Sequence, residues 1–145
     1  MKPTNPWQSY RQVATRTASP GQLVLMLYEG AIRSLERAQG GFTMDDPGEF
    51  NTTINNNILR AQDIIRELDY SLNVTEGGEL AIQLRRLYDY FDRVLQDSNL
   101  KKEPTGISEV LTRLAVLRDA WATMLQQQSG ARPTETPANA ELTAA

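Results

Sequence analysis

Two residue types are missing from this 145-residue chain altogether, cysteine and histidine. Without cysteine there is no disulfide, no thiolate metal site and no cysteine nucleophile, and a reducing compartment is permitted. Without histidine the chain lacks the commonest general base and the commonest transition-metal ligand. No apolar run approaches the roughly 20 residues that span a bilayer, so membrane insertion is not expected. The opening stretch MKPTNPWQSY has no hydrophobic signal core, so no secretory signal is read and the expected compartment is the cytoplasm. Asn51-Thr52-Thr53 and Asn73-Val74-Thr75 match the glycosylation sequon, but without a signal they read as chance matches.

The net charge of −3 is unevenly spread. Residues 1–17 carry Lys2, Arg11 and Arg16 and no acid, which leaves −6 on the remainder. An acidic body with a basic arm does not suit nucleic acid, which calls for clustered basic residues on the body. The arm is polar apart from Trp7, Tyr10 and Val13, and Asn5-Pro6 argues against helix at its very start. From Ser9 to Thr15, Tyr10, Val13 and Ala14 could share one short apolar face. Docking on the body is one reading of this arm and a solvated terminus is the other; the paired aromatics favour docking.

Four amphipathic segments follow, each with a legible start or stop. In the first, Ser19 suits the N-cap, Pro20 the first helical position and Gln22 the third residue of a capping box. Val24, Tyr28, Ala31, Leu35 and Ala38 then step by four and three to make a core stripe, with Leu25, Ile32 and Leu27 on its flanks. Leu23 lies further round and Met26 nearly opposite, a surplus of apolar side chains that asks for a second contact surface. Gly40-Gly41 ends this helix, and Asp46-Pro47 with Glu49 starts the next. Its seam is the most regular in the chain: Ile54, Ile58, Ala61, Ile65, Leu68, Leu72. Gly77-Gly78 is expected to cap that helix and reverse the chain.

The third seam reads Leu80, Leu84, Leu87, Phe91, Val94, flanked by Tyr88, Tyr90 and Leu95. The fourth reads Ile107, Leu111, Leu114, Arg118, Trp121, Leu125, broadened by Val110, Leu117 and Met124. Pro104 and Gly106 close the linker between them. Four such segments with short connections predict an all-α protein, an antiparallel up-down four-helix bundle with an N-terminal capping segment. The expected organisation is an arm over residues 1–17, a bundle over 18–128 and a disordered tail over 129–145, which is small, polar and aperiodic.

Enzyme chemistry finds no footing. A di-metal bundle needs inward glutamates and Glu-x-x-His pairs, and these seams carry no glutamate. Asp63/Glu67 and Asp89/Asp92 lie off the seams, where solvation or pairing with Arg60, Arg66, Arg85 and Arg93 is expected. Arg118, the one charge on a seam, is expected to snorkel or to pair with an acid. No cofactor and no metal is expected. What remains is binding through apolar surface, with Leu59, Tyr70, Ile82 and Val116 placed outside along with Leu23 and Met26. A partner helix laid in a groove is a natural use of such a surface. Asn55, in the run Asn55-Asn56-Asn57, could bond a partner's backbone or simply face solvent.

Several stretches together resemble one family. They are Tyr10 in the arm, Thr17-Ala18-Ser19-Pro20, and Leu25-Met26-Leu27-Tyr28-Glu29-Gly30-Ala31-Ile32. Ala61-Gln62-Asp63-Ile64-Ile65 with Glu67-Leu68 follows, then Gly77-Gly78-Glu79, Leu87-Tyr88-Asp89-Tyr90, and Leu117-Arg118 with Trp121. In this order, over most of the chain from Tyr10 to Trp121, the set is similar to the FliS family of flagellar export chaperones. The resemblance implies a cytosolic chaperone that binds the disordered C-terminal segment of flagellin, prevents premature polymerisation and presents subunits to the flagellar export gate. It also implies an N-terminal segment that covers part of the binding surface, with Tyr10 as its tyrosine. The residues expected to contact the partner are Trp7, Tyr10, Val13, Leu23, Met26, Leu27, Asn55, Gln62 and Tyr88. The alternative reading is a regulatory or assembly bundle that uses the same surplus surface to form a homodimer.

Overall fold

The computed structural model describes residues 19–72 and 74–131. The described residues form four helices: α1 (Pro20–Gly41), α2 (Pro47–Tyr70), α3 (Val74–Lys101) and α4 (Thr105–Ala131). Among them there is no strand, and no helix is long and apolar enough to cross a membrane. The residues expected to form an arm, and the tail beyond Ala131, lie outside the described residues.

The starts of α1 and α2 follow from local chemistry. The first amides of a helix have no partner inside it, so a short polar side chain just before it takes one up. Ser19 Oγ accepts from the Gln22 amide at 3.2 Å, and Asp46 Oδ2 accepts from the Glu49 amide at 2.9 Å. Proline sits at the first position of each, where its missing N–H costs nothing. Helix α3 ends differently: Lys102 takes the left-handed conformation at φ 53°, and the Glu103 amide reaches back to the Ser98 carbonyl at 3.1 Å.

Neighbouring helices run antiparallel, which the cross-helix contacts fix pair by pair. Between α2 and α3, Asn55 meets Asn99, Gln62 meets Asp92 and Asp69 meets Arg85, one heptad apart at each step and in opposite directions. Between α1 and α4, the start of one meets the end of the other through Gly21 and Trp121, and the reverse through Gln39 and Ser108. The contact of α1 with α2 is the most extensive and that of α3 with α4 the least. This is the four-helix bundle that the seams predict.

The seams of α1 and α2 hold except at one end of each, where Val24 and Leu72 are only partly buried. Tyr28, Ala31, Leu35 and Ala38 are buried, as are Ile54, Ile58, Ala61, Ile65 and Leu68. Two expectations need correction. Helix α2 ends well before the glycine pair: Ser71 caps it, its hydroxyl donating to the Leu68 carbonyl at 2.6 Å. Val74 to Gly77 then forms a helical turn, and Gly78, at φ 55° and ψ −130°, breaks it from the rest of α3. Glycine serves there because that backbone conformation is hostile to a Cβ.

The second correction concerns α3. Its buried line is Ala81, Tyr88, Phe91, Leu95 and Ser98, with Leu84 partly buried, whereas Leu80 is 64% exposed. The helix is turned about its axis from the leucine-rich seam because two polar or small residues belong inside. Tyr88 meets Tyr28, and Ser98 sits against Gly106, where no Cβ would fit. In α4 the fully buried positions are Ile107, Val110 and Leu114, so Val110 belongs to the core line while Leu111 is only partly buried.

Candidate partner-binding surface

The sequence leaves α1 with more apolar side chains than its core face can use, and the structure shows where the surplus goes. From Ser19 to Met26 no residue is buried; burial begins at Leu27. Leu23 and Val24 line a cleft of about 230 Å³ between the first turns of α1 and the last turn of α2, with Leu27 at its floor. Pro20 closes it on one side, and Glu67, Tyr70 and Ser71 form the facing wall. Its volume falls below the roughly 300–1,000 Å³ typical of small-molecule sites, so it suits side chains of a docked segment better than a metabolite. Tyr70, 76% exposed, stands at its rim. A large aromatic ring left in water beside an apolar cleft is a ready anchor for a partner.

On the other side of Tyr70 lies a second cleft of about 220 Å³, lined by Ile65, Arg66, Asp69, Tyr88, Asp89 and Asp92. Its acids are matched by cations. Asp69 pairs with Arg85 at 3.1 Å, Asp92 with Arg66 at 3.7 Å and Asp89 with Arg93 at 4.0 Å, while Arg66 also bonds Asp63 at 2.8 Å. These are the pairings expected of off-seam charges; Arg60 instead donates to Asn57. Among the described residues no cluster of acids is arranged to hold a metal ion. Arg118 pairs with its neighbour Asp119 at 3.0 Å.

The expected contact residues separate into three groups. Leu23 and Leu27 line the apolar cleft, and Met26 is half-buried on α1 outside that lining. Asn55, Gln62 and Tyr88 are engaged between helices. Asn55 Oδ1 accepts from Asn99 at 2.9 Å. Gln62, buried, donates to the Asp92 carboxylate at 3.1 Å and to its carbonyl at 3.3 Å. Tyr88 shares a 2.6 Å hydrogen bond with Tyr28 across the diagonal of the bundle. Burial pushes both phenols above their ordinary 10.0, against the hydrogen bond at Tyr28 and reinforced by Tyr28 and Asp69 at Tyr88. Trp7, Tyr10 and Val13 lie outside the described residues. Sequence reasoning missed Pro20, Val24 and Ser71 as cleft residues. Tyr70 was placed outside by its heptad position, a signal that pointed to the rim without locating the cleft.

A four-helix bundle with paired surface charges and an unfilled apolar cleft at one end defines a binding protein, with no catalytic constellation among the described residues. Comparison with known proteins gives that class a family. The family model of the flagellar protein FliS matches residues 3–128, and the chain belongs to that family. It is 35% identical over 124 residues to the flagellar secretion chaperone FliS of Bacillus subtilis strain 168, covering 86% of this chain and 89% of that protein. It is 34% identical over 119 residues to the flagellar secretion chaperone FliS of Salmonella typhimurium, covering 79% and 85%. With the flagellar secretion chaperone FliS of Escherichia coli K12 it shares 32% identity over 127 residues, covering 84% and 90%. The family is one of chaperones, not enzymes, and membership supports an export-chaperone role.

Proposed function

We propose that this chain is a cytosolic export chaperone that takes the disordered C-terminal segment of flagellin onto the open end of its bundle. Holding that segment keeps the subunit from polymerising early and allows its delivery to the export gate. The observation that carries the reading is the apolar cleft of Pro20, Leu23, Val24 and Leu27 beside the exposed Tyr70. A disordered client folding onto such a surface buries on the order of 1,000–3,000 Å² and gives up a few kcal/mol to ordering. The cleft is therefore one anchor point in a longer contact. Residues 1–18 enter the described structure beside it, at Ser19 and Pro20, and carry Trp7, Tyr10 and Val13. An arm that covers the cleft lowers apparent affinity in proportion to the time it spends there.

Calorimetry with a flagellin C-terminal peptide, comparing the full chain with Tyr10→Ala, tests both parts. The variant is expected to bind more tightly with its helical circular dichroism unchanged. Equal affinities would remove the covering arm, and absence of any binding by the unaltered chain would remove the chaperone reading. Sedimentation at micromolar concentration addresses the homodimer. A client-free dimer that excludes the peptide would replace the chaperone reading with that one.

A further inference from the structure

Helix α1 opens Ser-Pro-Gly, and glycine is a poor helix former at its second position. Two side chains of α4 reach Gly21. The Trp121 indole N–H donates to the Gly21 carbonyl at 2.7 Å. A carbonyl has two lone pairs, so this bond does not compete with the helix's own. The side chain of Leu125 lies over Gly21 so closely that a Cβ there would fall 2.7 Å from Leu125 Cδ2. Glycine leaves the room that the Leu125 side chain occupies.

These contacts matter because of what faces α1 on its other side. Pro20, Leu23 and Val24 line the cleft, and of the three only Val24 also packs against the core. Neither the stretch from Ser19 to Met26 nor that from Ala115 to Gln128 contains a buried residue. Val24 on α1 and Ala115, Leu117 and Trp121 on α4 reach only the edge of the core, and Trp121 and Leu125 tie the two segments together there. We propose that Trp121 and Leu125 form a latch that positions the first turns of α1 and thereby holds the cleft open. They are positioning residues, acting through α1. Without them the wall bearing Leu23 and Val24 frays or sinks into the cleft. The inference rests on the cleft being the client site proposed above.

Hydrogen exchange read by mass spectrometry on the full chain tests it, with Trp121→Phe and Leu125→Ala. Phenylalanine keeps an aromatic ring but deletes the N–H donor together with the five-membered half of the indole. Exchange in residues 23–27 is expected to rise about three- to tenfold, the effect of losing one net hydrogen bond, while residues 54–68 remain unchanged. Affinity for a flagellin C-terminal peptide falls by a similar factor. Unchanged exchange in residues 23–27 in both variants overturns the latch. So does faster exchange spread equally over residues 54–68, which would make Trp121 an ordinary core residue. Faster local exchange with unaltered peptide affinity overturns the positioning role. If the unaltered chain binds no peptide, the proposed function fails, and the exchange measurement still decides the latch.

Discussion

Where α1 finishes and α4 begins, helices interlock through glycines and full-sized side chains. Gly41 lies against Ile54, where a Cβ would fall 2.9 Å from Ile54 Cγ1, and Gly106 lies against Ser98 and Val94. Phe42 and Phe50 meet edge-to-face with centroids 5.5 Å apart, and Gln39 donates to Ser108 at 2.9 Å. Where α1 begins and α4 finishes, the sequence is as rich in leucine and methionine, yet no residue from Ser19 to Met26 or from Ala115 to Gln128 is buried. The contrast shows that apolar sequence alone does not make core. Among the described residues the first end is packed more closely than the second, and the second is where the proposed client would sit.

The largest expected effect breaks the filled end. Ile54 is fully buried beneath Gly41, so Ile54→Ala removes buried carbon and leaves a cavity. The cost is about 2–5 kcal/mol, read as a drop in the urea midpoint at constant slope. A cost below about 1 kcal/mol would mean that this end relaxes as easily as the other, and the comparison would fall.

Between the two ends, the Tyr28–Tyr88 pair sets an alkaline limit. Burial favours the neutral phenols, so their pKa values in the folded protein lie above the ordinary 10.0. Folded protein then holds protons that the unfolded chain releases as pH passes 10. Their contribution is fully present below pH 10 and is lost as pH rises beyond it. Melting temperatures from pH 8 to 11 should fall more steeply for the unaltered chain than for a Tyr28→Phe, Tyr88→Phe double variant. Parallel curves would mean that the pair is not buried as described.

Much of this was legible in the residues. Caps at Ser19 and Asp46 follow from local chemistry, and the seams of α1 and α2 are apolar but for the Tyr28 hydroxyl, so periodicity finds them. The seam of α3 was misplaced because hydropathy prefers Leu80 to Ala81 and overlooks Ser98. The true line is chosen by fit, with a serine against Gly106 and a tyrosine bonded to Tyr28, and neither partner is visible from α3 alone. Asn55 and Gln62 are polar residues beside the apolar seam of an amphipathic helix, a position that reads equally as a partner contact or a cross-helix bond. Only the docked α3, with Asn99 and Asp92 opposite them, distinguishes the two. Trp121 and Gly21, 100 positions apart, gave no signal of contact.

At the open end the smallest effect on stability should accompany a clear effect on binding. Leu23 is only half-buried, so Leu23→Ala forfeits part of a transfer free energy that for a fully buried leucine is about 1.5–3 kcal/mol. No closed cavity forms, because the cleft is already open to solvent. The expected loss of stability is below about 1 kcal/mol. If a client side chain seals the cleft, the leucine's remaining surface is buried only in the complex, and its truncation is felt there. Peptide affinity should then fall about three- to tenfold, close to 1 kcal/mol. A variant that loses stability as Ile54→Ala does would make Leu23 part of the core. One that loses neither stability nor affinity would move the client away from this cleft, leaving the open end without the use proposed for it.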